Sequence, residues 1–371
     1  MSLLFTYGLR LIGRGTPMKI GMGEPRADGQ PFVSVIIPCY NHGQFVDEAV
    51  DSLLKQTWQD FEIIIVNDGS TDEETNRILS TYERPKTRVL NLKKNIGLPA
   101  ARNVGIREAC GNYICCLDAD DKLQETYLEK ALAVMEINAG VSFVWAWTQV
   151  IGSEERVWYA PQFDPEKMMF YNLLNPPAVF RRKVWERVGG YFEVMRDGFE
   201  DWEFWVRLTG HGFRGHRISE KLIHYRRVGY SFAQRAAEKK EALFAQIKEN
   251  NQAMYADPKA TAKRLISSYK DIYSPSPYAN FKIVDYLQIP NMSRIIVSSL
   301  DSAQTLIWLK NNKPQPSYIW VAQQALDEES LDALYESTPY VYILPNFIPQ
   351  YARSEFIQHL QARHNVVVEY L

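Results

Sequence analysis

Cysteine is scarce in this chain: Cys39, Cys110, Cys115 and Cys116 are the whole complement, all in its first third. Four is too few for a disulfide-built scaffold, and their spacing lacks the paired pattern of a zinc site. The sequence therefore predicts reduced, mostly buried thiols in a cytosolic protein. An excess of positive charge is missing too. Lys plus Arg total 42 against 44 Asp plus Glu, a net charge of -2, which supplies no basic field for a polyanion and disfavours nucleic acid as a partner. Nor does any apolar run approach the ~20 residues of a bilayer-crossing helix. The best N-terminal stretch, Leu3 to Ile12, is broken by Gly8 and Arg10. With no basic segment before it, it is also a poor secretory signal, which leaves a leader, or peripheral contact with the inner membrane face, as its readings.

What is present is enough apolar content, 46% of 371 residues, for a sizeable core, and at about 150 residues per domain the length predicts two or three domains. Residues 13 to 31 hold five Gly and three Pro, so 1–31 reads as a flexible leader. Ordered patterning starts at Phe32. Val33 to Ile37 is a β-branched strand stopped by Pro38, and Phe45 to Gln56 carries apolar residues at helical spacing. Strand and helix then alternate: Phe61 to Val66, Thr71 to Tyr82 with Ser70 or Thr71 as the N-cap, Arg88 to Leu92, Pro99 to Ala109, and Tyr113 to Leu117. That alternation predicts an α/β fold with a mostly parallel, Rossmann-like sheet whose ligands gather beyond the carboxyl ends of its strands. From Val141 the pattern is less regular and rich in Trp, which reads mainly as aromatic core. Residues 32–235 are expected to form this domain and 236–280 a helical linker. Four further strands, beginning near Arg294, Tyr318, Tyr340 and Asn365, predict a small α/β module at 281–371, either accessory or incomplete.

The strongest chemical signal is Asp118-Ala119-Asp120-Asp121, directly after an apolar strand. Three carboxylates there raise one another's pKa unless a cation shares the site. Hard oxygen ligands favour Mg²⁺ or Mn²⁺, and a phosphate-bearing substrate would complete a shell that so few local ligands leave open. The alternative is a solvated turn whose aspartates cap the next helix. Asp68, in Asn67-Asp68-Gly69-Ser70, is a second acid at a strand end, suited either to a nucleobase or to an ordinary turn. Tyr40 offers a ring for stacking or for packing.

Together these stretches resemble family 2 glycosyltransferases. The resemblance rests on Val35-Ile36-Ile37-Pro38-Cys39-Tyr40-Asn41, the Phe61 to Asp72 segment, Asn95-Ile96-Gly97 with Ala101-Arg102-Asn103, Leu117 to Asp121, and Gly198-Phe199-Glu200-Asp201-Trp202, in that order. It covers residues 33 to about 230 and implies a GT-A fold that binds a nucleotide-sugar, usually a UDP-sugar, and transfers the sugar with inversion. The carried-over roles place Pro38, Tyr40, Asn41, Asp68, Arg102, Asp118 and Ala119 at the nucleotide-sugar. Asp120 would hold the metal, Mn²⁺ or Mg²⁺, with Asp121 and His224 as further candidates. Asp201 would be the general base, with Glu200 and Trp202 on the acceptor side. The pattern departs at Val228, where relatives often carry a metal- or diphosphate-binding His; His224 from a shifted register, or water, would take its place, and Arg226 and Arg227 remain candidates for phosphate contact. Glycan, lipid-linked and protein acceptors all fit, in surface polysaccharide or glycoconjugate synthesis. Two rivals stay open. Asp118 and Asp120 also suit a haloacid-dehalogenase-type phosphatase, although Lys122 stands where a Thr or Val is expected. The other rival is a non-catalytic module that only binds nucleotide or glycan.

Overall fold

A computed structural model of the chain describes residues 32–174, 177–229, 232–270, 292–312, 315–324, 326–338, 340–344 and 350–371. The leader expected at 1–31 lies outside the described residues. Two compact units emerge: one is Ala27–Ile272, and the other holds Tyr273–Leu371.

In the larger unit, β1 (Val33–Cys39), β2 (Phe61–Asn67), β3 (Thr87–Asn91) and β4 (Tyr113–Cys116) run parallel in the order β3-β2-β1-β4. Helices α1 (Gly43–Leu54), α2 (Glu73–Ser80) and α3 (Leu98–Glu108) make the crossovers. Every residue of β1 is buried, as expected for a parallel strand covered on both faces. β1 does not stop at Pro38 but runs through it to Cys39. The Ile36 carbonyl accepts from Leu117 on the β4 side and the Cys39 carbonyl from Asp68 on the β2 side. By alternation Pro38 faces β4, which has already ended at Cys116, so the proline leaves no ladder bond unmade. The α2 N-cap is Asp72, whose carboxylate accepts from Thr75 N at 2.7 Å, one or two residues later than the sequence suggests.

Beyond β4 the sheet turns mixed through β8 (Val179–Arg181), β6 (Val141–Gly152), β9 (Arg214–Arg227) and β5 (Lys122–Leu123), with β7 (Arg156–Trp158) on β6. That gives nine strands among the described residues. α4 (Tyr127–Ile137), α5 (Pro165–Phe170), α6 (Arg182–Val188) and α7 (Glu200–Gly210) complete this region. Its tryptophans are mostly core: Trp145, Trp147, Trp185, Trp202 and Trp205 are all buried.

The helices after β9, α8 (Phe232–Glu238), α9 (Lys240–Asn250), α10 (Gln252–Tyr255) and α11 (Pro258–Ser268), belong to this same unit. Where the sequence reads a linker, their apolar positions Leu243, Ile247, Met254 and Leu265 are buried. Phe244 stacks on Trp202 with ring centroids 5.2 Å apart.

The second unit is a four-stranded parallel sheet, β12-β11-β10-β13, from β10 (Arg294–Ser298), β11 (Tyr318–Ala322), β12 (Tyr340–Ile343) and β13 (Val367–Tyr370). Its helices are α12 (Ser302–Asn312), α13 (Glu328–Ser337) and α14 (Gln350–His364). No helix among the described residues is long and apolar enough to cross a membrane.

Candidate active site

The carboxyl ends of β1, β2 and β4 carry three of the segments picked out from the sequence. After β1, Tyr40 is 42% exposed. Asn41 takes the left-handed conformation, φ 57°. Its Oδ1 accepts from Thr71 N and Asp72 N at 2.8 and 3.0 Å, and its Nδ2 donates to Thr71 Oγ1. Asn41 thus ties the two loops together. After β2, Asp68 is buried and each of its oxygens accepts one amide of the next loop, Ile96 N at 2.8 Å and Gly97 N at 2.9 Å. Burial pushes its carboxyl above the usual range, and those two amides oppose the shift. Gly69, φ +61°, allows this close approach, since a Cβ there would lie 2.3 Å from the Lys94 carbonyl carbon.

After β4, a turn closes from Asp121 N to the Asp118 carbonyl at 3.1 Å, with Ala119 buried inside it. Arg226, near the end of β9, pins the turn: its backbone N–H donates to Asp121 Oδ1 at 2.8 Å and its Nε to the Asp120 carbonyl at 2.9 Å. The Arg226 guanidinium also pairs with Glu48 at 2.7 Å and lies over the Phe45 ring, while that of Arg227 pairs with Glu154. Asp121 Oδ2 is buried without a hydrogen-bond partner. Burial and its neighbours Asp120 and Asp118 hold the Asp121 carboxyl well above the usual range. Asp120 is raised by burial and by Asp118, against His42, whose Nδ1 is 3.8 Å from Asp120 Oδ2, and against Arg226.

Successive residues of β9 point to opposite faces. Tyr225 is the one that feels the aspartates; burial and then Asp121, Asp118 and Asp120 push its hydroxyl up to about 12. His224 is lowered by burial and by Lys122, its partner across β5. The structure therefore brings Tyr225, rather than His224, together with the acidic turn. No group of three or more His, Cys, Asp or Glu able to hold a metal occurs among the described residues.

The opposite wall is the start of α7, reached through Gly198 and Phe199, both at positive φ. Arg102, on α3 and only 1% exposed on its side chain, links the walls: Nη2 donates to Asp118 Oδ1 at 2.8 Å and Nη1 to Glu200 Oε1 at 2.7 Å. The Tyr191 ring lies 5.6 Å from its guanidinium carbon. Burial lifts the Glu200 carboxyl to about 7, with Arg102 opposing and Asp201 adding to the rise. Asp201 is likewise raised by burial, opposed by Arg102 and by Asn172, whose Nδ2 donates to Asp201 Oδ2 at 2.9 Å. Trp202 turns inward, and its indole N–H donates to the Met168 carbonyl at 2.7 Å. Arg207 clamps the turn before α7 through Glu203 and the carbonyls of Val188 and Gly190. Asn172, Tyr225 and the pairing of Arg102 with Glu200 carry no local signal in the sequence.

Comparison with known proteins places the chain among glycosyltransferases. The glycosyl transferase family 2 model matches residues 34–201. TuaG of Bacillus subtilis, a glycosyltransferase assigned by name to teichuronic acid biosynthesis, is 30% identical over 226 residues, 59% of this chain and 89% of that one. An uncharacterized glycosyltransferase of Methanocaldococcus jannaschii, MJ1057, is 28% identical over 53% of this chain and 71% of that one. Chondroitin synthase of Pasteurella multocida is 29% identical over 54% of this chain, which corresponds to 20% of its own length. Among solved structures, S. aureus TarS 1-349 overlays with a TM-score of 0.49 at 20% identity, over 59% of this chain and 65% of that one. The phosphatase reading of Asp118 is not favoured, since Arg102 already holds that carboxylate. The chain belongs to glycosyl transferase family 2: it is a glycosyltransferase with a GT-A fold.

Proposed function

We propose that the chain transfers a sugar, with inversion, from a nucleotide-sugar to an acceptor hydroxyl in polysaccharide or glycoconjugate synthesis, and that a UDP-sugar is the donor to test first. The observation that carries this reading is the Arg102 bridge. One buried guanidinium holds Asp118, at the strand ends where the fold receives a nucleotide, and Glu200, next to Asp201. A donor seated at the strand ends would then face a carboxyl raised by burial, as a base needs. The likeness to TuaG and chondroitin synthase supports a polysaccharide acceptor.

On this reading Pro38, Tyr40, Asn41 and Asp68 shape the nucleoside pocket. Tyr40 offers its exposed ring to the base, while Asn41 and Asp68 hold the loops in place. Arg102, Asp118 and Ala119 lie against the sugar and diphosphate. The residues present fit a divalent cation at Asp120 and Asp121, because Asp121 Oδ2 is a buried oxygen with no donor and its carboxyl is raised by burial and by Asp120. Mn²⁺ or Mg²⁺ bound there would offset the charge gained by the departing diphosphate. Asp201 takes the acceptor proton as the acceptor oxygen bonds to the anomeric carbon. The bond from that carbon to the diphosphate oxygen breaks, and the nucleoside diphosphate leaves.

The test compares the parent chain with Asp201→Asn and Asp120→Ala, using UDP- and GDP-sugars with Mn²⁺ and an oligosaccharide acceptor panel. Asp201→Asn is expected to lower kcat by about 10²–10⁴ while nucleoside diphosphate binding, read by calorimetry, is kept. Asp120→Ala is expected to lose the metal-dependent part of that binding. Undiminished transfer by Asp201→Asn would sink the assignment of the base.

A further inference from the structure

Asn172 lies two residues beyond α5, and both ends of its amide are committed. Oδ1 accepts from Leu174 N at 3.3 Å, which fixes the amide orientation, so that Nδ2 is the atom given to Asp201 Oδ2 at 2.9 Å. The segment before it is itself anchored. The Met168 carbonyl accepts from Trp202 Nε1 and the Met169 carbonyl from Tyr255 Oη, each at 2.7 Å. Asn172 is therefore held by α7 and α10 rather than swinging as a surface side chain.

We infer that Asn172 is a positioning residue for the base: it occupies Asp201 Oδ2, fixes the carboxylate rotamer, and leaves Oδ1 to receive the acceptor proton. This rests on Asp201 being the base. The charged and titratable groups around Asp201 are Glu200 beside it on α7, Arg102 from α3, Asp118 beyond β4, and Tyr191 from the loop before α7. Arg102 favours the ionised carboxylate and Asp118 disfavours it, while Asp201 in turn raises Glu200. Burial keeps the Tyr191 hydroxyl protonated. Against these opposing charges, the neutral donor Asn172 supplies a hydrogen bond that exists in full only when Asp201 is ionised. It sets the pH at which the base becomes available.

The experiment measures kcat against pH with saturating donor and acceptor for the parent chain, Asn172→Ala, Asn172→Asp and Asp201→Asn, with melting curves for each. Asn172→Ala removes the donor, so the acidic limb is expected to move up by about one pH unit. The loss is then about tenfold on that limb and fades as pH rises. Asn172→Asp is isosteric and keeps the bond from Leu174 N, yet it places a second carboxyl against Asp201. The two acids then share a proton, and the limb moves further in the same direction. A limb that stays in place in both variants, or a loss equal at every pH or confined to the KM for donor, overturns the inference and makes Asn172 a loop anchor. Asp201→Asn separates the two failures. If it abolishes transfer while the Asn172 variants keep the parent limb, only the role of Asn172 falls. If it transfers normally, the base assignment falls and the Asn172 role with it.

Discussion

Replacing Arg102 with Met removes the cation that bridges Asp118 and Glu200 and keeps much of the apolar bulk. The side chain is 1% exposed, and its partners Glu200 and Asp118 are 6% and 28% exposed. Removing one partner of a buried ion pair leaves an uncompensated charge, which costs about 3–5 kcal/mol. Most of that falls on Glu200, because Asp118 reaches solvent and is partly screened. Against a total stability of roughly 5–15 kcal/mol, and at about 2–4 °C per kcal/mol for a unit of this size, the melting temperature should drop by about 6–20 °C at pH 8. The sign of the pH dependence follows from Glu200. Burial already lifts its carboxyl to about 7 against the pull of Arg102, and without Arg102 it rises further. A folded-state pKa above the unfolded one means that the native state binds the extra proton, so stability is gained as pH falls through the folded value. The deficit relative to the parent should therefore shrink between pH 8 and pH 5. Thermal melts at four pH values, repeated with Arg102→Met/Glu200→Gln, test both claims, and the second substitution should restore much of the loss at pH 8. A single variant melting within about 2 °C of the parent at pH 8, outside the range worked above, would refute the reasoning, as would a deficit that grows on acidification.

Two further outcomes follow from neighbouring residues. Asp121→Asn keeps the oxygen that accepts from Arg226 N and deletes a charge pressed between burial and two other acids. It should melt higher than the parent in EDTA, by roughly 1 kcal/mol at the unfolding midpoint, and should lose metal-dependent binding of nucleoside diphosphate. A lower melt, or unchanged metal-dependent affinity, would contradict the account of the acidic turn. Gly105→Ala tests how closely α3 approaches the sheet. The new methyl would stand 2.4 Å from Ile36 Cγ2 and 3.0 Å from Val66 Cγ2, on stiff β-branched side chains that cannot swing aside. Overpacking of about 1–3 kcal/mol is expected, read as a lower urea midpoint; an unchanged midpoint would show that α3 can shift freely.

The strand ends were legible because local pattern decides them. Alternation of apolar strands with amphipathic helices placed Asp68 and Asp118 to Asp121 at one edge of a parallel sheet without any knowledge of contacts. The helix cap was not so local. Asn41, thirty residues upstream, takes the amides of Thr71 and Asp72 on its own Oδ1, and Asp72 is left to cap α2. Trp202 is expected on the acceptor side from the resemblance, yet its position on α7 turns it toward Phe244 and the Met168 carbonyl. Choosing between His224 and Tyr225 needs the face of β9, which is fixed only by pairing with β5 and by register shifts against β6. Arg102 and Glu200 are 98 residues apart and nothing in their spacing links them.

Fixed positive charge is spread unevenly over the acidic cluster. Arg102 meets Asp118 and Glu200 through their carboxylates, so the inner pair shares one fixed positive charge supplied by the protein itself. Arg226 is equally close to the outer pair but gives its Nε to the Asp120 carbonyl, its backbone N–H to Asp121, and the rest of its guanidinium to Glu48. It fixes the shape of the turn and leaves the carboxylate charge of Asp120 largely unspent. Two raised acids, one with a buried oxygen lacking a donor, would suit a positive charge brought from outside. On the proposed reading that supply is the divalent cation of the donor complex, so Asp120 and Asp121 would be matched only while donor is bound. The inner pair, by contrast, already has its fixed partner in Arg102, which on the same reading would keep Asp201 and its neighbours set for the acceptor before the donor arrives.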